Sequence, residues 1–288
     1  MDPYGYLAIH KLLRQDPHAL SVGRSAFGRH IVALRVGDGK GILLFGGIHA
    51  REWCTVPVVL AAYRRYLAAW QASLGRLPGA DFLPMVNPDG VELAKRGLKS
   101  APPIVRPYLA RINGGEDFSL WKANGRGVDP NVNFDAGWGK GKGNVFAPSP
   151  ASYVGLYPSS ERETAALVGL TLAQNYRGVL CYHCKGEVVY YGYRPTDGRE
   201  DLTRHSEKTA RALCAEWGYT PLTSEGSHGG YKDWYALTHP DGVCLTVEVG
   251  KDDYPHPYPE WDIPRLIALH EPDGVRLAEE IWTRDTWS

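Results

Sequence analysis

GILLFGGIHAREW, residues 41 to 53, decides how this chain is read. Its first five residues are almost wholly apolar, as in a strand buried on both faces. Gly46 and Gly47 break the run, and His49, Glu52 and an apolar-periodic stretch follow. In that stretch Val59, Ala62, Tyr63, Tyr66, Leu67 and Trp70 form one stripe, which predicts a helix over about 56 to 70. Strand, glycine turn and helix are the repeating unit of an open α/β sheet, whose crevices form at the carboxyl ends of strands. His49 and Glu52, three apart in a turn entering a helix, fall on one side and can reach one ion. Imidazole with carboxylate suits zinc, provided that a distant third ligand completes the set and a position stays open for water. H-x-x-E alone recurs by chance; the strand and two glycines in front of it make it informative.

Outward from this segment, apolar runs predict strands at 30 to 36, 80 to 87, 178 to 183, 187 to 193 and 243 to 250, besides 41 to 47. Helices are expected at about 160 to 176, 202 to 217, 232 to 237 and 273 to 282, and the opening MDPYGYLAIHKLLRQ has an amphipathic helical pattern. Residues 95 to 159 break into Gly, Pro, Asn and Ser, a stretch long enough to suggest a functional loop. Asn87-Pro-Asp-Gly90 is a turn signal with a structural role. Tyr190 and Tyr191 suit sheet packing. Neither repeats nor a shift in composition mark a second domain, so residues 1 to 288 are expected to form one α/β domain.

The third ligand is sought at another strand end. His183 closes the apolar run GVLCYH, placed as His49 is. Glu248 lies in VCLTVEVG, otherwise apolar apart from Thr246, where a carboxylate is costly unless paired, metal-linked or catalytic. A water activated by a metal needs a base beside it, and Glu248 is the best candidate.

Composition narrows the partners. Lys plus Arg and Asp plus Glu balance at 32 each, so no global field points to nucleic acid or a membrane surface. No apolar run approaches the roughly 20 residues that span a bilayer, and no secretory leader pattern opens the chain. A cytoplasmic or spore-associated protein is therefore expected. Five cysteines form no disulfide framework. Cys181 and Cys184, three apart on an expected strand, face opposite ways and cannot close on one metal.

HAREW, GVDPNVNFDAGWG, the strand ending in His183, GGYKDW and TVEVG stand in the order found in the zinc carboxypeptidase family, which this chain resembles over about residues 6 to 282. The resemblance implies a mixed, about eight-stranded sheet flanked by helices, with one zinc ion per chain at its carboxyl edge. It implies His49, Glu52 and His183 as zinc ligands and Glu248 as general base. Departures from the family pattern concern the substrate. Val132 follows Asn131 where the family carries an arginine that clamps a terminal carboxylate, and valine donates no hydrogen bond. Lys122 stands where an arginine polarises the scissile carbonyl, and as a point charge it can still serve an oxyanion. Glu225 or Ser227 sits where a tyrosine is expected, and Lys185 lies two residues past His183.

WKANGRGVD, YHCKGEVVYYGY and GGYKDW most resemble one branch, the bacterial γ-D-glutamyl–diaminopimelate endopeptidases. That implies a peptidoglycan stem peptide or muropeptide as substrate, with Arg51, Asn131, Lys232, Lys185 and Glu225 as contacts. Lys232 and Arg51 are the cations expected to meet substrate carboxylates, and Asp233 is expected beside the site without binding metal. The alternatives are a metallocarboxypeptidase preferring acidic C-terminal residues and a catalytically silent cell-wall-binding module.

Overall fold

The uniformly apolar runs lie at the centre of one sheet. A computed structural model describes residues 2–195, 204–223 and 226–282. Its strands are β1 (Ala19–Arg24), β2 (His30–Val36), β3 (Gly41–Phe45), β4 (Gly79–Leu83), β5 (Gly178–His183), β6 (Val188–Tyr191), β7 (Thr220–Thr223) and β8 (Val243–Glu248). They are ordered β1-β2-β4-β3-β5-β8-β6-β7. The central four, β4, β3, β5 and β8, run parallel, so their carboxyl ends share one edge. Antiparallel pairings at β2–β4 and β6–β8 make the sheet mixed.

Helices among the described residues are α1 (Tyr6–Gln15), α2 (Thr55–Ala72), α3 (Pro88–Arg96), α4 (Arg106–Asn113), α5 (Arg162–Gln174), α6 (Arg204–Trp217), α7 (Tyr231–Thr238), α8 (Ile263–His270) and α9 (Asp273–Trp282). Side chains alternate across each strand and build a core on both faces. Ile42, Leu44, Leu180, Tyr182, Leu245 and Val247 pack with residues of α2, α6, α8 and α9. Leu43, Phe45, Val179, Cys181 and Cys244 pack with residues of α5 and α7 on the other side. The expected α/β domain is thus formed, with helices on both faces of an eight-stranded sheet. Cys181 and Cys184 belong to opposite layers, as strand geometry requires. Burial raises the pKa of both thiols and keeps them protonated.

Several boundaries differ from the sequence reading, each for a local reason. β3 stops at Phe45 because Gly47 turns the chain with φ 60°, a conformation that favours glycine. β4 ends at Leu83 before Pro84, which has no N–H for the ladder. β6 and β8 end two residues early, at Tyr191 and Glu248. Asn87-Pro-Asp-Gly90 is no free turn but the start of α3: Asn87 Oδ1 accepts from Gly90 N at 2.9 Å, and Pro88 takes the first helical position. The edge strands β1 and β7 were not expected. One is half-buried and the other is four residues long with Pro221 inside, so neither carries an apolar run. Helix α4 stands within the stretch read as loop, and α8 begins with a proline in its first turn. No helix among the described residues is long and apolar enough to cross a membrane.

Candidate metal centre and its pocket

After β3 the backbone keeps pairing with the chain that leaves β4. Gly46 N donates to Leu83 O at 3.0 Å, Val86 N to Gly46 O at 3.1 Å and Asn87 N to Gly47 O at 2.9 Å. Thr55, in the first turn of α2, pins the loop from the other side. Its Oγ1 accepts from Gly47 N and donates to Glu52 O, both at 2.8 Å. Within this frame residues 50 to 52 form one 3-10 turn. That turn brings His49 Nδ1 to 2.9 Å from Glu52 Oε1.

His183, the last residue of β5, arrives from the neighbouring parallel strand. Its Nδ1 lies 3.0 Å from His49 Nδ1 and 3.1 Å from Glu52 Oε2. All three side chains are buried, and their ligand atoms lie within 4.8 Å of one another. Two imidazole nitrogens facing each other at hydrogen-bond distance beside a carboxylate form a donor set that suits zinc. The opposite face of the His49 ring supports the same reading. Nε2 lies 3.2 Å from Asp129 Oδ1, a charge contact outside hydrogen-bond geometry, and a carboxylate on that side favours the proton there and leaves Nδ1 for a metal. Burial alone would raise the Glu52 pKa; the adjacent His49 and His183 more than offset it and hold Glu52 ionised well below the usual carboxylate range. Burial also opposes charge on His49, and Glu52 and Asp129 outweigh it, raising the pKa.

Asp129 was not singled out from the sequence. It is fully buried, and it ties three parts of the site together. Besides facing His49, it accepts from Asn131 N at 3.0 Å through Oδ1 and lies 3.2 Å from Lys122 Nζ through Oδ2. Against its own burial, Lys122 and His49 drive its pKa below the ordinary range. The loop carrying these residues is built on Asn124, whose Oδ1 accepts from the N–H groups of Arg126 and Val128 at 2.9 and 3.1 Å. Asn124 Nδ2 in turn donates to the buried carboxylates of Glu161 and Glu163. The available sequence signal was an aspartate and asparagines inside an otherwise apolar turn, GVDPNVN.

A pocket of about 400 Å³ opens beside the triad, and its lining includes Lys122, Asn131, Val132, Lys232, Asp233 and Glu248. Glu248 pairs with His183 across β5 and β8, which sets the carboxylate next to the triad. Burial, with Glu52 nearby, pushes its pKa up to about 7 against the pull of His183, Lys122 and Arg51. Asn131 Nδ2 stands 3.4 Å from His183 Nε2, and its Oδ1 accepts from Tyr231 N at 3.0 Å, linking triad and α7. Lys232 is buried; its Nζ donates to Gly192 O at 2.5 Å and to Asp233 Oδ1 at 2.6 Å. Tyr190, expected to pack in the sheet, lines the pocket, while Tyr191 packs in the core.

Two expected contacts stand off this pocket wall. The Lys185 Nζ donates to the Asp252 carbonyl and lies 3.2 Å from Asp252 Oδ1, a pairing that draws it away. Arg51 is half-buried next to Glu52, with its Nε closed to solvent and without a hydrogen-bond partner among the described residues. Glu225 lies outside the described residues, and Ser227 lines the pocket.

Comparison with known proteins agrees with this geometry. Residues 8–267 match the family model described as zinc carboxypeptidase. The chain is 33% identical over 269 residues to γ-D-glutamyl-L-diamino acid endopeptidase 1 of Lysinibacillus sphaericus, covering 89% of this chain and 65% of that protein. It thus spans just under two thirds of that relative's length. Among solved structures it is similar to bovine thrombin-activatable fibrinolysis inhibitor, with TM-score 0.76 and 19% identity over 97% of this chain and 96% of that one. It is also similar to murein-tripeptide amidase MpaA of Escherichia coli O157, with TM-score 0.57 and 21% identity over 91% and 92%.

Proposed function

The chain belongs to the zinc carboxypeptidase family, and on that premise we propose that it is a zinc metallopeptidase acting on the γ-D-glutamyl–diaminopimelate bond of peptidoglycan stem peptides or muropeptides. The observation that carries the substrate reading is Val132 in the pocket wall beside Asn131. The family resemblance implies an arginine at this position to hold a free terminal carboxylate, and valine cannot supply that bidentate clamp. Here the cations of the described lining are two lysines, Lys122 and Lys232, each beside an aspartate. A stem peptide continues past the scissile bond and needs no such clamp. The relative's activity, a γ-D-glutamyl-L-diamino acid endopeptidase by name, supports the same choice.

His49, Glu52 and His183 would hold the zinc, which when bound polarises a carbonyl and lowers the pKa of water. Glu248 takes the proton of the attacking water and returns it to the leaving amine. Lys122 sets a positive charge at the oxyanion, and Asp129 holds that lysine in place while facing His49. Asn131 orients the wall between His183 and α7. Neither a nucleic acid nor a membrane enters this reading.

Two results test it. Digestion of muropeptides by the zinc-loaded protein should release fragments that begin with diaminopimelate, read by mass spectrometry. Intact L-Ala-γ-D-Glu-diaminopimelate alongside trimming of an ordinary peptide's C-terminus would make the chain an exopeptidase instead. The pH profile follows from Glu248, which works unprotonated. Its pKa is raised from 4.5 to about 7 without metal, and the positive charge of bound zinc would pull it back, so kcat/KM should climb with pH along an acidic limb with its midpoint between those values. A rate that is flat from pH 4 to pH 8 would remove Glu248 from the role of base.

A further inference from the structure

Behind the loop that delivers Lys122 and Asp129 lies a second cavity, of about 580 Å³ against about 400 Å³ at the triad. Val128 lines it, and the next residue, Asp129, faces His49 and Lys122. One stretch of backbone is therefore a wall of both spaces. Three rings reach the second cavity: Phe27 from the turn between β1 and β2, Tyr108 from α4, and Tyr153. Two of them are fixed against the loop. The Tyr108 hydroxyl donates to Arg126 O at 3.2 Å. A Cβ on Gly125 would lie 2.7 Å from Phe27 Cζ, so only glycine lets the loop sit on that ring. The charged lining is Arg126, Glu161 and Arg162. Glu161 is buried; its Oε2 accepts from Asn124 Nδ2 at 2.8 Å and its Oε1 from Ser160 Oγ at 2.9 Å. Arg126 Nη1 stands 3.8 Å from Glu161 Oε1, too far for a hydrogen bond, and is 51% exposed as a side chain. That is its only ion pair among the described residues, and Arg162 has none there.

We propose that this cavity binds an uncharged pyranose of the amino-sugar class, from the glycan that carries the stem peptide. The glycan as source rests on the peptidase reading above, whereas the class of ligand rests on the cavity alone. An anion would meet Glu161, and a cation would meet Arg126 and Arg162. A wholly apolar guest would strip water from all three charges and return nothing for it. A sugar hydroxyl both accepts and donates, so it can take a guanidinium N–H and give its own hydrogen to the carboxylate. The C–H faces of the ring are apolar and suit Phe27, Tyr108 and Tyr153, and the volume is that of a small-molecule site. Two sources supply this chemistry: the sugar tethered to the peptide being cut, and a neighbouring glycan strand. The wall shared with the triad places either one next to the peptide bond.

Calorimetric titration with the β-1,4-linked trimer of N-acetylglucosamine tests the cavity without relying on turnover. The trimer should bind at millimolar concentration and about tenfold more weakly to Arg126→Ala and to Arg162→Ala, each of which loses a charged hydrogen bond. Binding that is equal in the parent and both variants lies elsewhere and overturns the proposal. So does tighter binding of N-acetylglucosamine 6-phosphate than of N-acetylglucosamine, the mark of an anion site. The source is read from kcat/KM for a muropeptide with its sugar, divided by kcat/KM for the same peptide without it. A tethered sugar should raise this ratio to about tenfold in the parent, and Arg126→Ala should return it towards one. A ratio near one beside intact trimer binding assigns the cavity to a neighbouring strand. A ratio near one with no trimer binding overturns the proposal, and cleavage in that case leaves the peptidase reading in place. Trimer binding with no cleavage of any muropeptide would sink that reading and leave the sugar site standing.

Discussion

Replacing Glu248 by glutamine is expected to lower kcat by about a thousandfold, within the range that a positioned acid–base group contributes, with zinc still bound at near one ion per chain. Glutamine keeps the size of the side chain and its place opposite His183 at the end of β8. It cannot take a proton from water, and it cannot hand one to a leaving amine. Measuring kcat beside metal content by mass spectrometry separates two roles. Loss of both would make Glu248 a metal ligand, and retention of full activity would remove it from the mechanism. The acidic limb of the pH profile should vanish from whatever rate the variant retains.

Asp129→Ala should be the most disruptive change outside the triad. It removes the carboxylate that faces His49 Nε2 at 3.2 Å and Lys122 Nζ at 3.2 Å. Loss of an outer partner of a metal-binding histidine costs roughly 10–100-fold in metal affinity, read from competition with a chelator. Breaking a buried ion pair adds a stability cost of about 3 kcal/mol, since Lys122 is only 21% exposed. Denaturant unfolding of the zinc-free protein measures that part by itself. Asp129→Asn keeps the acceptor for the Asn131 N–H and an oxygen facing His49 but loses the charge opposite Lys122. Its zinc affinity should fall less than that of the alanine variant, and its kcat should fall through a displaced Lys122. Parent-like zinc affinity in Asp129→Ala would show that the contact to His49 does not orient the ring.

How legible each part was depends on what kind of signal it leaves. Strands β2 and β5 and helix α9 occupy the residues expected of them, because burial on one or both faces writes a periodic pattern. Edge strands β1 and β7 leave no such pattern, since half of their surface faces water. Residues 95 to 159 were legible as a functional segment but not as a structure. They contain α4 and the loop segment that delivers Lys122, Asp129 and Asn131.

For the proposed site, the amino-acid sequence by itself offered His49, Glu52, His183 and Glu248 as candidates, and the family resemblance joined them into one set. Each sits at or just past the end of a buried strand, and parallel strands must bring those ends to one edge. Tertiary structure alone decided what the other side chains meet. Asp129 lies beneath His49, Lys185 turns out to Asp252, Tyr190 reaches the pocket and Lys232 spends its charge on Asp233. Periodicity reports which face of an element is buried, because burial acts on every turn or alternate residue. The partner of a long polar side chain depends on loops that meet across the fold, and no local spacing encodes that choice.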